Sequence, residues 1–201
     1  MGRITVEKNV AGISGLCVIT PTLYGDSRGY FMETYNQHDL EETGIEVQFV
    51  QDNQAMSTRG VLRGLHFQLF HPQTKLVRVL HGTVFDVTVD LRRNSRTFGC
   101  WHGEILSDDN KRQVLVPAGF AHGYLVLSET AEFCYKCDDY YHPEDEGGLA
   151  WNDPQVGIVW PGISGTYGGS ASAAGYTVDG QPLLLNERDQ RWPGIRTLQE
   201  G

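Results

Sequence analysis

The stretch from Val84 to Leu91 constrains this chain most. Phe85, Val87, Val89 and Leu91 fall on one side of it, and Val84, Asp86, Thr88 and Asp90 on the other. Successive side chains of an extended backbone point to opposite faces, so a period of two marks a strand. A strand must pair, and the surrounding sequence offers partners. Val77–His81 lies just upstream, with Gly82 as a turn or bulge between the two runs. Gln113–Val116, Tyr124–Leu127 and Glu132–Tyr141 read as further strands. Helical signals are few, enough for a few short helices, of which Gln37–Thr43, ending at Gly44, is the clearest. There is no long amphipathic stripe, no internal repeat and no glycine-rich strand–helix junction for a dinucleotide. The pattern predicts an all-β sandwich, barrel or jelly roll.

The length of 201 residues suits one domain over 1–201, with a core at about 14–161. From Gly162 to Gln181, twelve of twenty residues are Gly, Ser or Ala, which reads as a flexible loop over 162–181. The segment 182–201 is too short for a second core, and its Leu183-Leu-Leu185 run predicts that it packs back on the barrel. Sixteen basic against twenty-five acidic residues leave a net charge of −9. A non-specific nucleic-acid binder neutralises phosphates with clustered cations, so that class is excluded as a partner. No apolar run approaches the ~18 residues of a membrane span. The opening Met-Gly-Arg-Ile-Thr-Val-Glu-Lys lacks the apolar core of a signal peptide, and Val6 breaks the myristoylation pattern. The expectation is a soluble, cytoplasmic protein without a membrane partner. Of the four cysteines, only Cys134 and Cys137 are close. On a strand, residues three apart face opposite ways, so all four are expected to be reduced and chemically quiet.

Two segments join turn residues to reactive side chains: Gly60-Val-Leu-Arg63-Gly-Leu-His66-Phe-Gln68 and Val116-Pro-Ala-Gly-Phe-Ala-His122-Gly-Tyr124. The second contains Pro-x-Gly-x-x-His, which resembles the second motif of the cupin superfamily of small β-barrels. Metal-binding cupins supply His-x-His and a nearby Glu from their first motif. Here Gln68 stands in place of the second His, and no Glu follows before Lys75. Two imidazoles fall short of the three protein ligands a catalytic divalent metal wants.

The first segment belongs to a longer series. Gln51-Asp-Asn53, Gly-Val-Leu-Arg-Gly-Leu-His-Phe-Gln, Lys75-Leu-Val-Arg78, Phe85-Asp-Val-x-Val-Asp-Leu-Arg92, Ser95-x-Thr-Phe-Gly99, Pro-x-Gly-Phe-Ala-His-Gly123, Ala131-Glu-Phe-x-Tyr-Lys136 and Tyr140-Tyr141 occur in order. Together they resemble the dTDP-4-dehydrorhamnose 3,5-epimerase family. The resemblance covers roughly 14–161 and resumes at Leu185–Asp189. It implies a cupin-like jelly-roll β-barrel acting on dTDP-4-keto-6-deoxy-D-glucose. The 4-keto group acidifies the C3 and C5 hydrogens, and the family inverts both carbons to give dTDP-4-keto-L-rhamnose in dTDP-L-rhamnose biosynthesis. That chemistry requires a base, an opposed acid and a cation at the enolate oxygen, and implies no cofactor and no metal.

Carried over residue by residue, the resemblance makes His66 the base, Asp189 its orienting carboxylate, Tyr135 the acid and Lys75 the cation. An imidazole titrates near neutral pH and can take and return a proton. Glu187 is the alternative to Asp189, because the 162–181 insertion lengthens the connection. Tyr135 shares a strand face with Phe133 and Cys137, which aims its phenol at the interior. Arg28 and Arg63 match contacts to the nucleotide diphosphate, which guanidinium forks suit. Glu33, Gln51 and Asn53 match residues around the nucleotide, and His122 and Glu146 match further ligand contacts. The family also implies a homodimer with N-terminal strand exchange. Arg63 and His66 have opposite parity on a regular strand. Either Gly64 permits a bulge, or Arg63 enters from the strand end. The competing readings are a metal-dependent cupin enzyme, a 3-only or 5-only sugar-nucleotide epimerase, and a catalytically silent sugar-binding barrel.

Overall fold

The computed structural model describes residues 3–200. In chain order the elements are β1 (Ile4–Lys8), β2 (Cys17–Pro21), β3 (Tyr24–Asp26), β4 (Gly29–Phe31), helix α1 (Gln37–Glu42), β5 (Gln51–Thr58), β6 (Leu62–Gln68), β7 (Lys75–His81) and β8 (Thr83–Asp90). They continue with β9 (Trp101–Ser107), β10 (Gln113–Val116), β11 (Phe120–Val126), β12 (Thr130–Cys137), β13 (Glu146–Gly148), β14 (Ile163–Ser164), β15 (Thr177–Val178), β16 (Gln181–Pro182) and helix α2 (Ile195–Glu200).

Two antiparallel sheets carry the architecture. One has six strands in the order β1-β2-β10-β7-β12-β5, the other five in the order β13-β6-β11-β8-β9. The interior between them is lined by Val77, Val79, Val114, Val116, Ala131 and Phe133 from the first sheet. Val84, Leu106, Phe120, Tyr124 and Val126 come from the second. The all-β jelly-roll expectation holds. Gly82, at φ 80°, joins β7 to β8, and a Cβ there would lie 2.1 Å from the carbonyl oxygen of Thr130. Only glycine combines that backbone with that approach.

The alternation in β8 buries both faces. Phe85, Val87, Val89 and Leu91 pack in an outer layer with Trp151, Trp160, Tyr176, Val178, Leu183 and Ile195. The opposite face, with Asp86 and Thr88, looks into the interior beside β11. A third cluster on the outside of the six-stranded sheet packs Leu40 of α1 against Cys17, Ile19, Leu76 and Leu115. Asn36 caps α1 by accepting the N–H groups of His38 and Asp39.

The Gly/Ser/Ala-rich stretch differs from the flexible loop expected. Its ends pair as the small β14-β15-β16 sheet, and Ala171, Tyr176 and Val178 are buried in the outer layer. The buried indole N–H of Trp151 donates to the carbonyl of Ala171 at 2.8 Å, and that of Trp160 donates to the carbonyl of Trp151 at 2.9 Å. Small residues let this backbone come within hydrogen-bond reach of the indole edge, which composition alone cannot distinguish from flexibility. Beyond it, Leu184 forms a parallel bridge with Val61.

Candidate active site

A cavity of about 310 Å³ opens at one end of the interior, walled by both sheets. Its volume is at the lower end of the ~300–1,000 Å³ range of small-molecule sites. The five-stranded sheet contributes Arg63, His66, His122 and Tyr124. The six-stranded sheet contributes Gln51, Asn53, Lys75, Phe133, Tyr135 and Cys137. The stacked rings of Tyr124 and Phe133, 4.1 Å apart, and of Phe133 and His122, 6.0 Å apart, cross from one sheet to the other.

The parity of Arg63 and His66 is resolved by a bulge in β6. On β11, His122 and Tyr124 are two residues apart. They pair with His66 and Arg63, which are three apart. The extra residue turns both side chains inward and sends Leu62 and Leu65 to the outer layer. Gly64 sits at φ 120°, and a Cβ on it would meet Gly123 Cα at 2.7 Å and the His122 carbonyl oxygen at 2.8 Å. Arg63 is steadied by donating from Nε to the Ser57 hydroxyl at 3.0 Å.

His66 Nε2 lies 2.7 Å from Oδ1 of Asp189, whose side chain is fully buried. A carboxylate only accepts, so Nε2 carries the hydrogen of this pair, and in the neutral ring Nδ1 is the nitrogen with the free lone pair. Asp189 also accepts the N–H of Gly64 at 3.0 Å and the Trp192 indole N–H at 3.3 Å. Burial pushes its carboxyl upward. The bond and charge of His66, with the Gly64 and Trp192 donors, outweigh burial and hold it below the ordinary 3.8. Glu187, the alternative, is exposed and pairs with Arg191. Glu146 stands 4.0 Å from His66 Nδ1, pairs with Arg188, and accepts the Tyr141 hydroxyl at 2.8 Å.

Across the cavity, Tyr135 has its phenol pushed up to about 12, first by burial and then by the acidic groups around it. Lys75 Nζ lies 5.9 Å from the centre of that ring, and burial lowers its ammonium below the usual 10.5. His122 Nε2 is 2.7 Å from the buried Asp86. Asp86 Oδ1 is buried without a hydrogen-bond partner among the described residues, and burial pushes the Tyr124 phenol above its usual value.

Nine of the eleven site residues expected from sequence therefore converge directly or through His66: His66, Tyr135, Lys75, Asp189, Gln51, Asn53, Arg63, His122 and Glu146. Arg28 and Glu33 do not. Arg28 is in the β3–β4 turn, with its side chain 87% exposed and paired with Asp26. Glu33 accepts from Asn36 at 3.2 Å, away from the cavity. Five residues without a site role in the sequence join those nine: Gln68, Tyr141 and Arg188, which stand within the quoted motifs, and Gln73 line the cavity, and Trp192 steadies Asp189. Arg188 adjoins Asp189 in sequence and was the most readable of these.

The cupin metal set is not assembled. Among the described residues, neither His66 nor His122 belongs to a group of three ligating side chains, and each directs Nε2 to a carboxylate. The Gln68 amide donates to the His71 carbonyl and accepts from the His142 N–H. These residues do not fit a catalytic metal.

Residues 11–197 match the sequence profile described as dTDP-4-dehydrorhamnose 3,5-epimerase. A dTDP-4-dehydrorhamnose 3,5-epimerase of Methanothermobacter thermautotrophicus is 50% identical over 184 residues, covering 92% of this chain and 91% of that protein. One from Pseudomonas aeruginosa is 57% identical over 150 residues, covering 74% of this chain and 83% of that one. A Legionella pneumophila dTDP-6-deoxy-D-glucose-3,5-epimerase, solved in complex with dTDP-4-keto-L-rhamnose, superposes with a TM-score of 0.84. It is 44% identical, covering 96% of this chain and 94% of that one.

Proposed function

The chain belongs to the dTDP-4-dehydrorhamnose 3,5-epimerase family, and from that premise we propose how its cavity performs the reaction. The protein is an isomerase, a sugar-nucleotide 3,5-epimerase. Its substrate is dTDP-4-keto-6-deoxy-D-glucose and its product dTDP-4-keto-L-rhamnose.

His66 Nδ1 takes the hydrogen from C3 or C5 as a proton, and the C–H electron pair moves into an enolate whose charge rests on O4. Asp189 holds the ring in the tautomer that leaves Nδ1 unprotonated, then faces the imidazolium. Lys75 supplies positive charge to O4. Tyr135, on the opposite sheet, gives its phenolic proton to the far face of the same carbon, which inverts it. Solvent reprotonates Tyr135 and removes the proton from His66 before the second carbon reacts. Arg63, Gln51, Asn53, His122 and Glu146 hold the nucleotide diphosphate and sugar. The observation that carries this reading is the placement of His66 and Tyr135 on opposite sheets with one cavity between them.

A homodimer with N-terminal exchange accounts for the two residues outside the cavity. The β3–β4 hairpin exposes Tyr30 and Phe31 at 57% and 58%, an apolar face that a second copy would cover while receiving Arg28 and Glu33. A cytoplasmic location agrees with the four unpaired cysteines. No helix among the described residues is long and apolar enough to cross a membrane.

The experiment is turnover of dTDP-4-keto-6-deoxyglucose in heavy water. Deuterium is expected at both C3 and C5, and His66→Asn abolishes uptake. Persistent exchange in that variant would show that His66 is not the base.

A further inference from the structure

A second group of ligating side chains lies at the mouth of the cavity. His71 comes from the loop after β6, and Asp139 and His142 from the segment after β12. Each offers one donor atom, and these atoms lie within 4.8 Å of one another. We propose that His71, Asp139 and His142 bind a first-row divalent cation, zinc above all, at a site separate from the catalytic residues.

The donor set selects the ion class. Two imidazoles and one carboxylate suit zinc, nickel or copper, whereas magnesium and calcium want oxygen throughout. Three protein ligands leave room for water to complete the shell. His71 Nδ1 is already 3.7 Å from Asp139 Oδ2. The two imidazoles stack with centres 4.0 Å apart and planes at 18°, so their lone pairs lie in two nearly parallel planes that a single ion cannot share. Binding therefore requires one ring to turn out of the stack, and the more exposed His71 is placed to do so. Glu144, 3.5 Å from His142 Nδ1, is placed to orient that ring. Among the described residues, the other surface histidine–carboxylate pairs, such as His38 with Glu42 and His81 with Asp108, lack a third donor.

The backbone around the three ligands is held before any ion arrives. Gln68 donates to the His71 carbonyl at 2.8 Å and accepts the His142 N–H at 2.7 Å. Gln73 donates to the Asp139 carbonyl at 2.8 Å. Both glutamines also line the catalytic cavity. A cation here would clamp together the two loops that form its rim.

Calorimetric titration of the chelator-treated full chain with zinc chloride tests this. One saturable zinc per chain is expected in the wild type and in His66→Asn, and none in His71→Ala or His142→Ala. Cobalt gives an independent readout, a visible d–d band in the wild type that is lost in both variants. Circular dichroism checks the fold. Where an alanine variant fails to fold, His142→Gln supplies the same comparison with a side chain that keeps an amide in the stack. No saturable binding in the wild type, or zinc retained by either folded histidine variant, overturns the proposal.

Discussion

Tyr135 is kept protonated by its surroundings. With its phenol pushed up to about 12, it carries its proton through the whole physiological range and can serve as an acid without a dedicated donor beside it. Lys75 is shifted the other way, because burial disfavours the ammonium. On raising the pH, the cation is the first of the two to be lost. The alkaline fall in kcat is therefore expected below the ordinary lysine range, and Lys75→Arg is expected to move it upward in a pH–rate profile. Lys75→Met removes the charge outright and is expected to cost about 10²–10³ in kcat, the usual effect of losing one oxyanion donor. Tyr135→Phe should slow inversion more than deuterium exchange, a split that mass spectrometry and product stereochemistry together measure. Asp90 makes a separate prediction about stability. Burial raises its carboxyl, but Arg92, Ser95 and Thr97 outweigh that and hold it at about 2, against an ordinary 3.8. The depressed value means that its contribution is whole above pH 3.8 and lost as pH falls through about 2. Denaturant titrations should show Asp90→Asn less stable than wild type at neutral pH, with the gap closing across that window.

At the scale of the element, β6 decides whether there is an active site. Replacing Gly64 by alanine would drive a Cβ against the backbone of His122 and Gly123, which cannot move aside as a side-chain tip would. Gly64→Ala is expected to lower both the melting temperature and kcat, even though it changes no group that meets substrate. The sequence displayed part of this. Strand alternation in 84–91 separates the face of Val87 from that of Asp86, and alternation in 133–137 aims Tyr135 inward, because those stretches are regular; which face of 84–91 turns outward is not legible in the sequence. The opposite parity of Arg63 and His66 signalled an irregularity, and Gly64 marked its place. Whether it was a bulge or an entry from the strand end depends on the register with β11, which no local pattern encodes. The bracing roles of Gln68 and Gln73 are not legible for a related reason. A glutamine that braces a loop through backbone atoms leaves no periodic trace.

At the scale of the whole molecule, the interior is divided between packing and chemistry. One end is an apolar sandwich, and the other leaves a polar cavity whose orienting carboxylate arrives from the far C-terminal segment. That segment reaches the site by crossing the outer layer, where Trp151 anchors the 162–181 stretch. Trp151→Ala is expected to destabilise the fold by ~3–5 kcal/mol, measured by denaturant unfolding. Composition makes this region look like solvent-exposed slack, because the indoles that hold it, Trp151 and Trp160, lie upstream of the small-residue tract. The exposed Tyr30 and Phe31 make the same argument between copies. Analytical ultracentrifugation should find a dimer. A chain that stays monomeric at working concentration, yet retains full activity, would leave Arg28 and Glu33 without a role in substrate binding.

The extra residue in β6 also bears on which genetic changes the protein survives. Loss of the Gly64 codon would restore unbroken alternation to that strand and so invert everything upstream of the cut. Arg63 would be driven into the greasy layer beneath Trp151, and Leu62 would take its place before the substrate. An in-frame deletion at this codon should then be worse tolerated than most single substitutions nearby, with soluble yield as the measure.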